Sequence, residues 1–170
     1  MSKDFLNVAV VGAGYWGKNL VRNFATAARC RLKYVCDLDE ELLLRQKRNF
    51  PFIKTTTNLD EALADTEVDA VVVATEAQSH FEVAKGALEA GKSAYVEKPL
   101  TLKAGDSRAL IELAKENGLK LMVGHLLLYH PGVNYVKKLI DSGQIGESYY
   151  MYTQRVNLGI VRQTENAWWS

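Results

Sequence analysis

Val8-Ala9-Val10-Val11-Gly12-Ala13-Gly14-Tyr15-Trp16-Gly17 is the stretch on which the reading of this chain turns. A β-branched apolar run stops at a glycine, and a helical pattern begins before the third glycine is passed. That reads as a strand, a tight turn and a helix N-terminus. The first glycine permits the turn, the second lets backbone approach a bound group, and the third lets helix and strand pack closely. The N–H groups and dipole of the helix end carry partial positive charge, which suits a pyrophosphate. Glycines also mark ordinary turns, so the rest of the chain has to agree.

Working outward, residues 6–11 form the first predicted strand. The following helix shows apolar positions at Trp16, Leu20, Val21, Phe24 and Ala28, one buried face by spacing. Leu32–Cys36 is a second strand ending at Asp37, about 20 residues past Gly17. A helix over 39–49 is closed by Pro51, and residues 52–55 form a short third strand. Thr57 or Asn58 caps a short helix, with Glu61 placed to reach back. Residues 69–74 are a continuous apolar run, the pattern of a strand covered on both faces in a parallel sheet. A helix over 79–90 ends at Gly91, and Ser93–Val96 is the next strand. Another helix covers 103–117, and Leu119–Val123 is a sixth strand. Pro131 starts a further helix with Val133, Val136, Leu139 and Ile140 on its inner face, ended by Gly143. Strands alternate with helices throughout, so the predicted fold is α/β: a doubly wound parallel sheet.

After the Gly143-Gln144-Ile145-Gly146 turn the pattern changes. Residues 1–143 read as one domain and 144–170 as the start of an incomplete second one. Ser148–Val156 reads as a strand with Tyr149, Met151, Thr153 and Arg155 on one side and no partner strand in the chain. The end carries Trp168 and Trp169, which are costly to leave in water. It reads as the opening of a C-terminal domain that is cut short; the alternative is a tail folded back on the first domain or paired with another copy.

The chain has 170 residues, a formal net charge of +1 and basic and acidic residues mixed along its length. That excludes a polybasic nucleic-acid surface or membrane arm. No apolar run approaches the ~20 residues that cross a bilayer. Met1-Ser2-Lys3-Asp4 leads straight into a strand, so no signal peptide is expected. Cys30 and Cys36 lie in or beside one strand, too far apart for a disulfide, and the three histidines are scattered. The expectation is a reduced, cytoplasmic protein without a metal site.

In an open parallel sheet, ligands bind at the carboxyl ends of the strands, near the point where strand order reverses. Here those ends carry Gly12 to Gly17, Asp37, Thr75-Glu76, Glu97-Lys98-Pro99 and Gly124-His125. Asp37 is the expected partner of adenosine ribose hydroxyls, and its charge would repel a 2′-phosphate, which favours NAD over NADP. The alternative is a helix-cap or turn aspartate. Lys98, after a buried strand, can polarise or deprotonate a substrate hydroxyl, with Glu97 to orient it and Pro99 to hold its backbone extended. Away from this context, such a lysine would simply be solvated. His80 and His125 are either caps and core contacts or site residues. Tyr129 and His130 either face the cleft or pack.

Gly12-Ala13-Gly14-Tyr15-Trp16-Gly17, Thr75 through His80 and Glu97-Lys98-Pro99 at this spacing resemble the glucose-fructose oxidoreductase / inositol dehydrogenase / rhizopine-catabolism family. The Glu-Lys-Pro triplet is the most specific mark. The resemblance implies an N-terminal Rossmann domain, a C-terminal α/β domain carrying much of the sugar site, and a homo-oligomer in the full-length parent. It implies hydride transfer between a nicotinamide cofactor and a hydroxyl of a sugar, cyclitol or nucleotide-sugar. By resemblance Lys98 is the motif lysine, contacting substrate and nicotinamide ribose and taking part in proton transfer. Gly12, Gly14, Tyr15, Trp16, Gly17, Asp37, Thr75, His80 and Glu97 would line the cofactor. His125, Tyr129 and Arg155 are candidate substrate contacts. Two departures stand out: Glu76 where members often have proline, and Gly124-His125-Leu126-Leu127-Leu128-Tyr129-His130-Pro131 where they often carry Gly-Phe-Asn-x-Arg. The variant looks closer to members acting on nucleotide-linked sugars. The family's catalytic histidine comes early in the second domain, and residues 148–170 contain no histidine. Two readings follow: the cofactor-binding part of a sugar or nucleotide-sugar dehydrogenase, or a dinucleotide-binding module without turnover.

Overall fold

The computed structural model describes residues 5–154 and 156. Six strands, β1 (Leu6–Val11), β2 (Cys30–Cys36), β3 (Lys54–Thr56), β4 (Ala70–Val73), β5 (Ser93–Val96) and β6 (Leu121–Val123), form one sheet. Their order is β3-β2-β1-β4-β5-β6, and every pairing is parallel. Sequence order reverses between β1 and β4, and the carboxyl ends of these strands are the switch point at which sheets of this kind take a ligand. The connecting helices are α1 (Gly17–Thr26), α2 (Glu40–Asn49), α3 (Leu59–Ala64), α4 (His80–Glu89) and α5 (Ala104–Glu116).

Side chains alternate across a strand, and this chain fills both faces. Val8, Val10 and Val72 face one way, onto Leu20 and Val21 of α1 and Leu43 of α2. Ala9, Val11, Val71 and Val73 face the other, onto Ala62 of α3, Ala84 and Leu88 of α4 and Leu110 of α5. In β2, Leu32 and Val35 share a face although they are three residues apart. The register between β1 and β2 slips at Val8/Ala9 and absorbs the extra residue.

Local chemistry sets the boundaries. Asp39 caps α2 by accepting from the N–H groups of Glu41 and Leu42. Asn58, the second of the two expected candidates, caps α3 through the Asp60 N–H. Gly91, Gly118 and Gly143 adopt positive φ just past their helices. The short third strand begins two residues later than predicted, and Ala28 lies beyond the end of α1.

The chain divides into two compact units after Gly124. The first holds the whole sheet. The second holds α6 (Pro131–Asp141), capped by His130, whose Nδ1 accepts from the Gly132 N–H at 3.1 Å. The predicted inner face of α6 is not buried: Val133 and Val136 are exposed, and Leu139 and Ile140 half-buried. Periodicity specifies which residues share a face, not what covers it. The strand predicted from Ser148 is absent over 148–154 and at Val156. With no strand in register beside it, the backbone has no ladder to join. Arg155 and the Trp168-Trp169 pair lie outside the described residues.

Candidate functional site

The predicted rim is laced together by backbone hydrogen bonds. The first residue past each of β1, β4, β5 and β6 donates to the last residue of a neighbouring strand. Gly12 donates to Cys36, Ala74 to Val11, Glu97 to Val73 and Gly124 to Val96, at 2.8–2.9 Å. The strand ends that the sequence marked therefore stand level along one edge.

The three glycines of the turn differ in what they answer to. Gly12 has φ of +94°, and a Cβ there would lie 2.6 Å from the Ala74 carbonyl oxygen. A Cβ on Gly17 would overlap the Gly12 carbonyl. Both are required by the protein's own packing. Gly14 is not: a Cβ there would meet nothing within 4 Å. The room lies at the start of α1, where Trp16 makes no side-chain cap. Open space against bare backbone at a helix N-terminus is what a pyrophosphate requires, so the turn fits the group.

Asp37 stands beside it. One carboxylate oxygen accepts from the Ala13 N–H at 2.6 Å, the other from the Asp39 N–H at 3.0 Å. A carboxylate offers about four acceptor positions, so capacity remains for ribose hydroxyls. The same charge opposes a 2′-phosphate brought close. Cys36, just before it, is buried, and burial pushes its thiol up to about 12. It stays a neutral thiol beneath the rim.

Past β4 the chain runs through Thr75 and Glu76 into a 3-10 turn at Ala77–Ser79. The Ser79 hydroxyl lies 2.8 Å from Thr75 Oγ1 and 2.9 Å from the Glu76 carbonyl oxygen. His80 is only 1 % exposed. Its Nδ1 is 2.7 Å from the Pro99 carbonyl oxygen and its Nε2 is 3.1 Å from that of Thr75. Both ring nitrogens are thus taken up by backbone, and the imidazole braces the two rim loops from below.

Beyond β5, Glu97 is buried and Lys98 exposed; the Lys98–Pro99 bond is cis. Glu97 Oε1 accepts from Trp16 Nε1 at 2.9 Å and from the Tyr95 hydroxyl at 3.1 Å. Its other oxygen lies 3.3 Å from the Lys98 backbone nitrogen. Tyr15 is largely exposed, with Lys18 Nζ 5.4 Å from its ring centroid. Tyr95 is a residue of this rim that the sequence reading does not single out, and Gly124, marked there only as a strand-end residue, gives the Glu97 carboxylate its room. The signal for Tyr95 was present, since it sits two residues before Glu97 on the same face of one strand. His125 and Tyr129 belong to the second unit, where both are exposed. Among the described residues no group of His, Cys, Asp and Glu is set to hold a metal ion.

A doubly wound parallel sheet with an open glycine turn, a carboxylate after β2 and a lysine after β5 defines a dinucleotide-binding α/β protein. The model of the oxidoreductase family with an NAD-binding Rossmann fold matches residues 6–125. The chain belongs to that family, the one its glycine turn and Glu-Lys-Pro triplet resemble. It is 35 % identical over 149 residues to the scyllo-inositol 2-dehydrogenase (NAD(+)) of Bacillus subtilis, covering 84 % of this chain and 42 % of that protein. It is 32 % identical over 147 residues to the 2,7-anhydro-N-acetylneuraminate hydratase of Mediterraneibacter gnavus, covering 86 % and 38 %. Among solved structures, GenD2 from gentamicin A biosynthesis, in complex with NAD, superposes with a TM-score of 0.80 at 37 % identity, covering 84 % of this chain and 40 % of that one. The chain spans about two fifths of the length of these relatives.

Proposed function

We propose that this chain is the NAD-binding part of an oxidoreductase that acts on a secondary hydroxyl of a sugar, cyclitol or nucleotide-sugar. One observation carries the proposal: a Cβ on Gly14 would meet nothing within 4 Å, at a helix N-terminus, with Asp37 tied to the preceding residue of the same turn, Ala13. The pyrophosphate would lie over Gly14 and the adenosine ribose against Asp37. Thr75 and Lys98 stand at the ends of β4 and β5, on the other side of the switch point from Asp37, where the nicotinamide end would fall.

The cofactor, when bound, supplies the acceptor for the hydride that leaves the hydroxyl-bearing carbon. The chain's own contribution is positional and protic. The glycine turn and Asp37 bind and orient. His80 and the Ser79–Thr75 contact hold the loop after β4 in place. Lys98 would hold the substrate hydroxyl and take or pass on its proton as the carbonyl forms. The names of relatives support a polyol substrate class: one is a scyllo-inositol 2-dehydrogenase, and another, from gentamicin A biosynthesis, is solved in complex with NAD.

The test is a titration with NADH, read by calorimetry and by quenching of tryptophan fluorescence. Saturable binding, with NADPH weaker, is the expected outcome. No binding at millimolar NADH overturns the cofactor reading, and tighter binding of NADPH overturns the role of Asp37.

A further inference from the structure

The geometry points to Glu97 as a positioning residue that ties the glycine turn to the Lys98 segment, with the Trp16 indole as its partner. This rests on the dinucleotide reading above. Trp16 and Glu97 are 81 positions apart in sequence. In the sheet, β1 and β5 are not neighbours, since β4 lies between them. The bond from Trp16 Nε1 to Glu97 Oε1 therefore spans the end of β4 and joins the two sides of the switch point. It is the side-chain counterpart of the backbone lacing along the rim.

The carboxylate is built into its place. Glu97 is only 7 % exposed, a position that is costly for an acid unless it is well supplied with donors. Trp16 and Tyr95 both donate to Oε1, and the Lys98 N–H approaches Oε2. Gly124, the first residue after β6, makes the room: a Cβ there would come within 2.7 Å of the Tyr95 hydroxyl and 2.9 Å of Glu97 Oε1. Residues from the ends of β1, β5 and β6 thus converge on one carboxylate. Trp16 occupies the N-cap position of α1 yet caps nothing. The indole N–H is a donor only, so it has no means of capping the helix N–H groups, and it is spent on Glu97.

The functional consequence is a fixed span. The turn that holds the pyrophosphate and the segment that bears Lys98 are set at one distance by a single charged hydrogen bond. Cutting it lets the turn drift from the nicotinamide end while both cores stay packed. Lys98 then faces a less constrained cofactor, and dinucleotide affinity falls.

The experiment uses the 170-residue chain and four variants: W16F, E97Q, E97A and the W16F/E97A pair. NADH affinity is read by calorimetry, melting temperature by circular dichroism, and the Trp16 indole N–H by its nitrogen–proton NMR signal. W16F should weaken NADH binding about tenfold, the scale of a lost charged hydrogen bond, with little change in melting temperature. E97Q keeps an acceptor for both donors and should bind NADH better than E97A. The pair should bind no worse than E97A alone. Wild-type affinity in W16F and E97Q, or additive losses in the pair, overturns the proposal. If E97A does not fold, W16F and E97Q decide. The indole signal separates the two readings. Without ligand it should move between wild type and E97Q; an unmoved signal overturns the tie whether or not NADH binds. Failure of the wild type to bind NADH overturns the dinucleotide reading instead.

Discussion

At the scale of single residues, the glycine turn separates what the fold needs from what a ligand needs. Gly17 abuts the Gly12 carbonyl, and Gly12 sits against Ala74 with positive φ. Gly14 touches nothing. Gly17→Ala should therefore destabilise the chain by about 2 kcal/mol or more through overpacking, read as a lower midpoint in urea. Gly14→Val should leave that midpoint nearly unchanged, because its side chain enters open space, and should abolish NADH binding. Equal effects of the two substitutions on stability would contradict the division. Asp37 combines both needs, since it holds the Ala13 and Asp39 N–H groups as well as facing the ribose position. Asp37→Ala should cost about 1–3 kcal/mol of stability, because two donors lose their acceptor. It should also narrow the preference for NADH over NADPH, measured by parallel titrations.

At the scale of elements, the far side of the sheet shows how charge ties a loop to a strand. Asp65 closes α3, and its carboxylate is 2.7 Å from Lys33 Nζ on β2. Lys33 also pairs with Glu67. The Lys33 ammonium, with the Glu67 N–H and the Tyr34 hydroxyl, holds the Asp65 carboxyl down at about 2, against an ordinary value of 3.8. A carboxyl depressed in the folded chain stabilises it above the unfolded value and loses that stabilisation as pH falls through the folded one. The melting temperature should thus drop between about pH 4 and pH 2. In Asp65→Asn it should start lower at pH 5 and fall less steeply. Lys33 is shifted the opposite way, upward, by the same partners. Its share is therefore present at neutral pH and lost only in strong base. The elements themselves were largely legible from sequence, because caps, glycines and apolar runs act locally. Gly91, Gly118 and Gly143 end helices where expected, since positive φ is a property of one residue. The tie between Lys33 and Asp65 was not legible, because it joins residues 32 positions apart whose charges look like ordinary solvated ones.

At the scale of the molecule, the sheet order decides where everything falls. The apolar runs Val8–Val11 and Val71–Val73 announced a sheet covered on both faces, and the order β3-β2-β1-β4-β5-β6 places the crevice between them. The rule that ligands sit at strand carboxyl ends is what singles out Gly14, Asp37 and Lys98 from the sequence, and the sheet places all three past the carboxyl ends of their strands. The positions of Tyr95, two residues before Glu97, and of Gly124, at a strand end, are legible too, but the way they enclose a buried carboxylate is not, because shape is set only when strands pair. The strand expected from Ser148 failed for a related reason: strand propensity is local, but a ladder partner is not. The histidines then argue for the last prediction. The sequence has three. His80 is spent on two backbone carbonyls, and His130 caps α6. His80 therefore has no ring nitrogen left for a substrate hydroxyl. The third, His125, is exposed in the second unit, and Lys98 is exposed to water that a closed site would exclude. The 170-residue chain should therefore bind NADH yet show no reduction of NAD above background with inositols, measured at 340 nm on the order of minutes to hours. Joining it to the C-terminal domain of an inositol dehydrogenase relative should raise turnover from that background. In that chimera Lys98→Ala should lower kcat by roughly 10²-fold or more, the scale of a lost proton-transfer group, and change NADH affinity far less. Turnover by the short chain that survives Lys98→Ala would show that the proton leaves by another route.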